Sequence, residues 1–142
     1  MTPSEAQFEE FFGAYIECAL WSETDENGNP LDKRFERKHI APDSLQRMRD
    51  DCVKFWEANS AKVDGNYIGS ARDSRDAQHA GHDFWLTRNC HGAGFWDGSW
   101  CDEVSDDLDK AAHEFGECNL YIGDDRKVHS YPPYCKPFAD EP

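Results

Sequence analysis

The densest group of side chains that could do chemistry lies between residues 82 and 97. It combines imidazole, carboxylate, guanidinium, amide and indole groups on a glycine-rich stretch, and we call it the turn cluster: His82, Asp83, Arg88, Asn89, His91, Trp96 and Asp97. Polar groups beside rigid aromatic rings are typical of a pocket for a small ligand or of a small active site. In the structural alternative, Arg88 pairs with Asp83 or Asp97 and Asn89 caps the turn.

Zinc is the metal that these residue types would favour. His79 and His82 are three residues apart on a predicted helix, and Cys90, His91 and Cys101 follow. Their spacing matches neither a C-x-x-C nor an H-E-x-x-H pattern, so we predict no cofactor and keep zinc as the alternative. The sequence also contains no G-x-S-x-G, Walker or dinucleotide-binding motif. We therefore expect a binding protein rather than an enzyme.

A second candidate site is a run of carboxylates on a predicted helix. We call it the acidic face: Asp102, Glu103, Asp106, Asp107 and Asp109. Outward carboxylates at helical spacing resemble the phosphates of a duplex, so this face could occupy the basic groove of a protein that handles nucleic acid. Such a run is also typical of a solvated helix surface.

Net charge narrows the classes of partner. The chain of 142 residues has a formal charge of -14 and a pI near 4.6, which repels nucleic acid and anionic lipid alike. No window is long and apolar enough for a membrane span, and the N-terminal region is acidic rather than basic as in a signal peptide. The six cysteines are then expected to be free thiols of a reducing compartment.

Hydrophobic periodicity predicts the elements that must position both sites. Apolar residues recur at three- and four-residue spacing in four predicted helices, over residues 2–21, 43–64, 73–84 and 102–115. Residues 84–87 and 93–96 are predicted as two short strands or extended segments around a turn, and residues 120–128 as a closing β-hairpin. We expect one α+β domain over residues 1–131, with the helices packed on a small, mostly antiparallel sheet. Residues 132–142, which include Pro132, Pro133 and Pro137, are predicted to be an extended or disordered tail.

Several segments of the chain resemble a known family. Residues 81–89 read GHDFWLTRN and residues 91–97 read HGAGFWD, and the likeness extends to residues 14–21, 25–31, 115–117 and 120–125. On these segments the chain resembles a family of small uncharacterised proteins encoded by tailed bacteriophages. That family has Gly where this chain has Cys90, and it usually ends shortly after the hairpin. The resemblance implies a phage or prophage origin and a location in the host cytoplasm, and it brings no catalytic residues.

Two functions are therefore open from the sequence. The first is a phage accessory protein that binds and inhibits a host protein with a basic surface, such as a defence or nucleic-acid-processing complex. The alternative is a small-ligand-binding protein or small enzyme centred on the turn cluster. Neither function involves direct contact with nucleic acid or membrane, and both are compatible with a homodimer.

Overall fold

The computed structural model describes residues 3–69, 76–91 and 93–130, and the side chains of residues 3 and 4 are not included. The described chain is an α+β fold in which four long helices pack together and a two-stranded antiparallel hairpin follows them. The elements are α1 (Pro3–Ser22), α2 (Pro42–Val63), α3 (Asp76–Arg88), α4 (Asp102–His113), β1 (Leu120–Ile122) and β2 (Val128–Ser130), with single 3-10 turns at Leu31–Lys33 and Arg37–His39.

The periodic apolar pattern predicted α1, α2 and α4 correctly to within a few residues. The spacing of Asp43 and Gln46 in the sequence predicts a capping box at the start of α2, and the structure differs from it in detail. The helix begins at Pro42, whose fixed φ suits the first helical position, and Ala41 precedes it. Gln46 instead donates a hydrogen bond to Asp50, at 2.9 Å.

The strands predicted over residues 84–87 and 93–96 are wrong. The first segment is the last turn of α3, and residues 93–96 form a bend and a turn. Aromatic and β-branched residues suggested strands, but the buried positions of α3 continue at helical spacing to its end: Ala77, Ala80, Gly81, Phe84, Trp85 and Arg88. Packing of this stripe against α1 therefore overrides the local strand propensity.

Aromatic rings from three helices form the centre of the core. The ring of Phe55 in α2 stacks on Phe84 in α3 with centroids 4.3 Å apart, and on Phe11 in α1 at 5.7 Å. The helices α1 and α3 approach closely because Gly81 has no side chain. A Cβ there would overlap the carbonyl oxygen of Phe11 and would lie 3.0 Å from the Cβ of Ala14.

The predicted β-hairpin is confirmed, and it docks on the start of α2. Tyr121 pairs with His129 across the two strands. The amide of Ala41 donates to the carbonyl of Val128 at 2.8 Å, and the amide of Ser130 donates to Oγ of Ser44 at 2.9 Å. These bonds satisfy the outer edge of β2. The predicted tail over residues 132–142 lies outside the described residues.

None of the helices in the described ranges is both long and apolar enough to cross a bilayer.

Candidate functional site

Arg88 of the turn cluster is buried in the core, with 1% of its surface exposed. Its Nη1 donates to Asp51 Oδ2 and to the hydroxyl of Tyr15, each at 2.9 Å. Its Nε and Nη2 donate to the carbonyls of Gly116, at 2.8 Å, and Phe115, at 3.1 Å. The alternative pairing of Arg88 with Asp83 or Asp97 is therefore wrong, because the guanidinium points from α3 toward α1, α2 and the chain after α4.

Asp83 lies on the opposite side of α3 and accepts a hydrogen bond from the indole Nε1 of Trp100, at 2.7 Å. Burial raises the pKa of this carboxyl to about 6, while the bond from Trp100 opposes the shift and the charge of Asp97 adds to it. The same surroundings raise the pKa of the Cys18 thiol to about 12, chiefly by burial and then through the charges of Asp83 and Glu23. The Cys18 thiol is therefore protonated at neutral pH and is a poor nucleophile.

Asn89 and His91 fix the chain where it leaves α3. The Nδ2 of Asn89 donates to the carbonyl of Trp85 at 3.0 Å, and its Oδ1 accepts from the amide of Cys118 at 2.8 Å, so Asn89 caps the turn as expected. The Nε2 of His91 lies 3.8 Å from Glu23 Oε2. Burial raises the pKa of Glu23, and the nearby imidazole of His91 opposes that shift.

Asp97 and Trp96 belong to the turn that follows. The Oδ1 of Asp97 accepts from the amide of Ser99 at 3.2 Å, which is the local bonding of an aspartate turn. The amide of Phe95 donates to Oγ1 of Thr87 at 3.0 Å, which ties this turn to α3. Trp96 is 54% exposed on the surface. The turn cluster is thus spread over the two sides of α3 and the turn.

His82 points away from the other members of the turn cluster, toward α1. Its Nε2 is buried and has no hydrogen-bond partner among the described residues. Burial lowers the pKa of this imidazole, with the charge of Glu17 opposing the shift. His82 lines a groove beside α1 instead of joining Arg88 or His91.

The candidate zinc ligands do not come together in the part of the chain that the structure describes. No three His, Cys, Asp or Glu side chains there are grouped so that they could hold a metal ion. The ring of His79 stacks on Tyr67 with centroids 3.8 Å apart. Cys90 is exposed at a left-handed backbone position, with φ of 58°.

The acidic face lies on α4, with its apolar residues Leu108 and Ala112 packed inward. Asp102, Glu103, Asp106 and Asp107 are all exposed. Asp107 Oδ2 lies 4.0 Å from Lys62 Nζ of α2, which is the outer limit of an ion pair. Asp109 differs, because its side chain is only 25% exposed and turns toward His113, with Oδ1 and Nε2 3.5 Å apart.

Sequence reasoning missed a groove that lies beside α1 and has a volume of about 740 Å³. Its walls include Trp21, the most exposed large apolar residue of the described chain at 61%. A signal was present in the sequence, because beside the core stripe of α1, which includes Ile16 and Leu20, the residues Gly13, Glu17 and Trp21 form a second stripe at four-residue spacing. That stripe ends in a tryptophan that no predicted element covers.

Comparisons with protein-family models, with curated proteins and with solved structures find no match to this chain.

Proposed function

We propose that this protein acts by binding, as a phage-encoded accessory protein that engages a basic surface on a host protein through the acidic face of α4 and inhibits it. The occupied surface would be one that normally receives nucleic acid, as in a defence or nucleic-acid-processing complex. The proposed location is the host cytoplasm, which follows from the resemblance of the sequence to phage proteins.

The observation that carries this proposal is the exposure of the acidic face. The α4 segment contains five carboxylates and one lysine, and four of the five carboxylates are exposed to solvent. Carboxylates that make no strong contact within their own fold keep their charge available to a partner. In a chain with net charge -14, the surrounding field further attracts cationic surfaces and speeds their encounter.

The turn cluster offers less support for a ligand site or an enzyme. Arg88 and Asn89 use their polar atoms in hydrogen bonds inside the fold, and Asp83 accepts a hydrogen bond from the indole N–H of Trp100. Reactive groups in an active site need to be within reach of one substrate and of each other. Arg88 and His82 point in different directions from α3, so the geometry favours binding over catalysis.

The test compares two variants with the same net charge. Asp106→Lys/Asp107→Lys reverses the centre of the acidic face, and Glu10→Lys/Glu57→Lys reverses two exposed carboxylates on α1 and α2. Reversing two charges takes the net charge from -14 to -10 in both. Each protein captures partners from a bacterial lysate, and the dissociation constant of the purified partner is measured across a salt series.

We expect the α4 variant to bind at least about tenfold more weakly, and the α1/α2 variant to bind nearly as well as the unchanged protein. Binding of the unchanged protein should weaken with salt, because exposed charges are screened over about 8 Å at physiological ionic strength. Equal affinity and equal salt dependence of the two variants would show that the α4 face is not the contact surface.

A further inference from the structure

The groove beside α1 is built from one stripe of that helix and from the chain that follows it. Gly13, Ile16 and Leu20 lie one helical turn apart on this stripe, and Phe35 faces them from the segment between the two 3-10 turns. A volume of about 740 Å³ is in the range of sites that hold a drug-sized molecule or several side chains of a partner. The groove is thus large enough for a binding site.

The interior of the groove is apolar. Ile16, Leu20 and Phe35 form its floor, with between 2% and 7% of each residue exposed. Trp21 stands at the edge with 61% of its surface exposed, although burial of an indole is strongly favourable. Gly13 borders the open space of the groove, because a Cβ at this position would meet nothing within 4 Å. An open trough with a tryptophan at its edge suits an extended partner surface better than an enclosed small molecule.

The rim of the groove is acidic. Glu17, Asp32 and Glu36 line it, and all are exposed. The guanidinium of Arg37 also lines it, but this group lies over the ring of Phe12, 4.7 Å from the centroid. An apolar floor between carboxylates is complementary to a helix with apolar residues on one face and Lys or Arg beside them.

We propose that this groove binds a basic amphipathic segment of a partner protein, whose apolar side chains pack on Ile16, Leu20 and Trp21 while its cations face Glu17 and Asp32. The site is separate in sequence and structure from the acidic face of α4, so the inference does not depend on the function proposed for α4. It gives the protein a second contact surface, one that recognises shape and apolar area as well as charge.

The negative charge of the rim also limits which protein segments could occupy the groove. A second copy of this chain would bring another charge of -14 toward an acidic rim, and like charges held close together are unfavourable. Residues 131–142 of the same chain contain one lysine against Asp140 and Glu141, so they are a poor complement as well. A cationic segment of a different protein has the charge that this rim favours.

The test uses a labelled synthetic peptide of about 18 residues, made of Leu and Lys with Leu at helical spacing. Its control is a peptide of identical composition in which the Leu residues are dispersed around the helix. Fluorescence anisotropy gives the affinity of both peptides for the full chain. We expect the amphipathic peptide to bind at least about tenfold more tightly, because the two peptides have equal charge and differ only in their apolar face.

Paired variants locate the site. Trp21→Ala and Glu17→Gln/Asp32→Asn should each weaken binding of the amphipathic peptide several-fold. Their controls should leave it unchanged: Ile68→Ala, which removes another exposed apolar side chain, and Glu10→Gln/Glu57→Gln, which removes the same charge elsewhere. All of these positions except Asp32 and Ile68 are on helices, and all are exposed, so circular dichroism should report folded proteins.

Two results would overturn the inference. One is equal affinity for the two peptides, which would mean that only net charge is recognised. The other is a loss of binding in the control variants as large as in the groove variants. Asp106→Lys/Asp107→Lys separates the two proposals, because it reverses the α4 face and leaves every groove residue in place. The experiments can therefore show that the groove does not bind the peptide while α4 still binds its partner, or that the groove binds the peptide while α4 binds no partner.

Discussion

The carboxyl group of Asp83 lies in a buried place where its ionised form is unfavourable. The side chain lies between α3 and Trp100, and the pKa is raised to about 6 from an ordinary value of 3.8, mainly by burial. The folded protein therefore binds a proton at this site more tightly than the unfolded chain does. Stability from this group is fully present below pH 3.8 and is lost as the pH rises through about 6.

Replacement of Asp83 by Asn should remove this pH dependence. The amide oxygen of Asn can still accept the hydrogen bond from Trp100, and it carries no charge to desolvate. We expect Asp83→Asn to gain stability relative to the unchanged protein as the pH rises from about 4 to 7, by about 1–3 kcal/mol. Urea unfolding at each pH measures this difference. A difference that stays constant over this range, or that shrinks with rising pH, would contradict the assigned environment of Asp83.

The residue types of the turn cluster could be found from the sequence, but their partners could not. The role of Asn89 as a turn cap could be predicted because its bond to the carbonyl of Trp85 is local. The partner of Arg88 is Asp51, which is 37 residues away and belongs to a helix whose rotation relative to α3 depends on tertiary packing. Arg88 was predicted to lie in a candidate binding site because it is a charged residue near aromatic ones in the sequence. In the structure, Arg88 donates hydrogen bonds to the carbonyls of Phe115 and Gly116 after α4.

The helices α1 and α3 each contain a glycine, and the two glycines have different surroundings. Gly81 of α3 lies against the backbone of α1, where any side chain would collide with the carbonyl of Phe11. Gly13 of α1 faces open space at the groove and has an ordinary helical conformation. The same substitution at the two positions therefore has opposite expected effects.

We expect Gly81→Ala to destabilise the protein by about 1–3 kcal/mol, because the new methyl group forces the two helices apart. Gly13→Ala should stabilise it by about 0.5–1 kcal/mol, since alanine restricts the unfolded chain and favours the helix. Denaturant unfolding of both variants measures the free energies. Equal destabilisation by the two substitutions would contradict this expectation. It would mean that a side chain at position 13 collides with its neighbours, and that the groove is therefore closed at Gly13.

The helices and strands were predicted more accurately from the spacing of apolar residues than from the strand propensity of individual residues. The helices α1, α2 and α4 were predicted from their apolar spacing. The last turn of α3 was missed, because Phe84, Trp85 and Thr87 favour strands locally and Arg88 interrupts the apolar pattern. The groove was missed for a different reason, since the path of the segment after α1 is set by contacts that no local pattern encodes.

For the whole molecule, the charge of -14 is a source of self-repulsion in the folded state. Among the described residues, carboxylates outnumber bases on α1 and α4. Compaction brings these charges closer together than in the unfolded chain. Screening by salt should therefore favour the fold.

We expect the melting temperature to rise by several degrees between about 20 mM and 500 mM NaCl, as the Debye length falls to a few ångströms. Glu10→Lys/Glu57→Lys, which reduces the net charge, should show a smaller rise. Differential scanning calorimetry at fixed pH measures both proteins. A melting temperature that falls with salt would mean that attractive surface pairs outweigh the repulsion.

The guanidinium of Arg88 joins three other parts of the chain: Tyr15 of α1, Asp51 of α2, and the carbonyls of Phe115 and Gly116 after α4. Detaching any one of them leaves a buried cation without an acceptor, or a buried acceptor without its donor, at a cost of several kcal/mol. Partial opening of a single helix is therefore disfavoured. The helical core should exchange its amide hydrogens as one cooperative unit, with a common opening free energy across α1, α2 and α3.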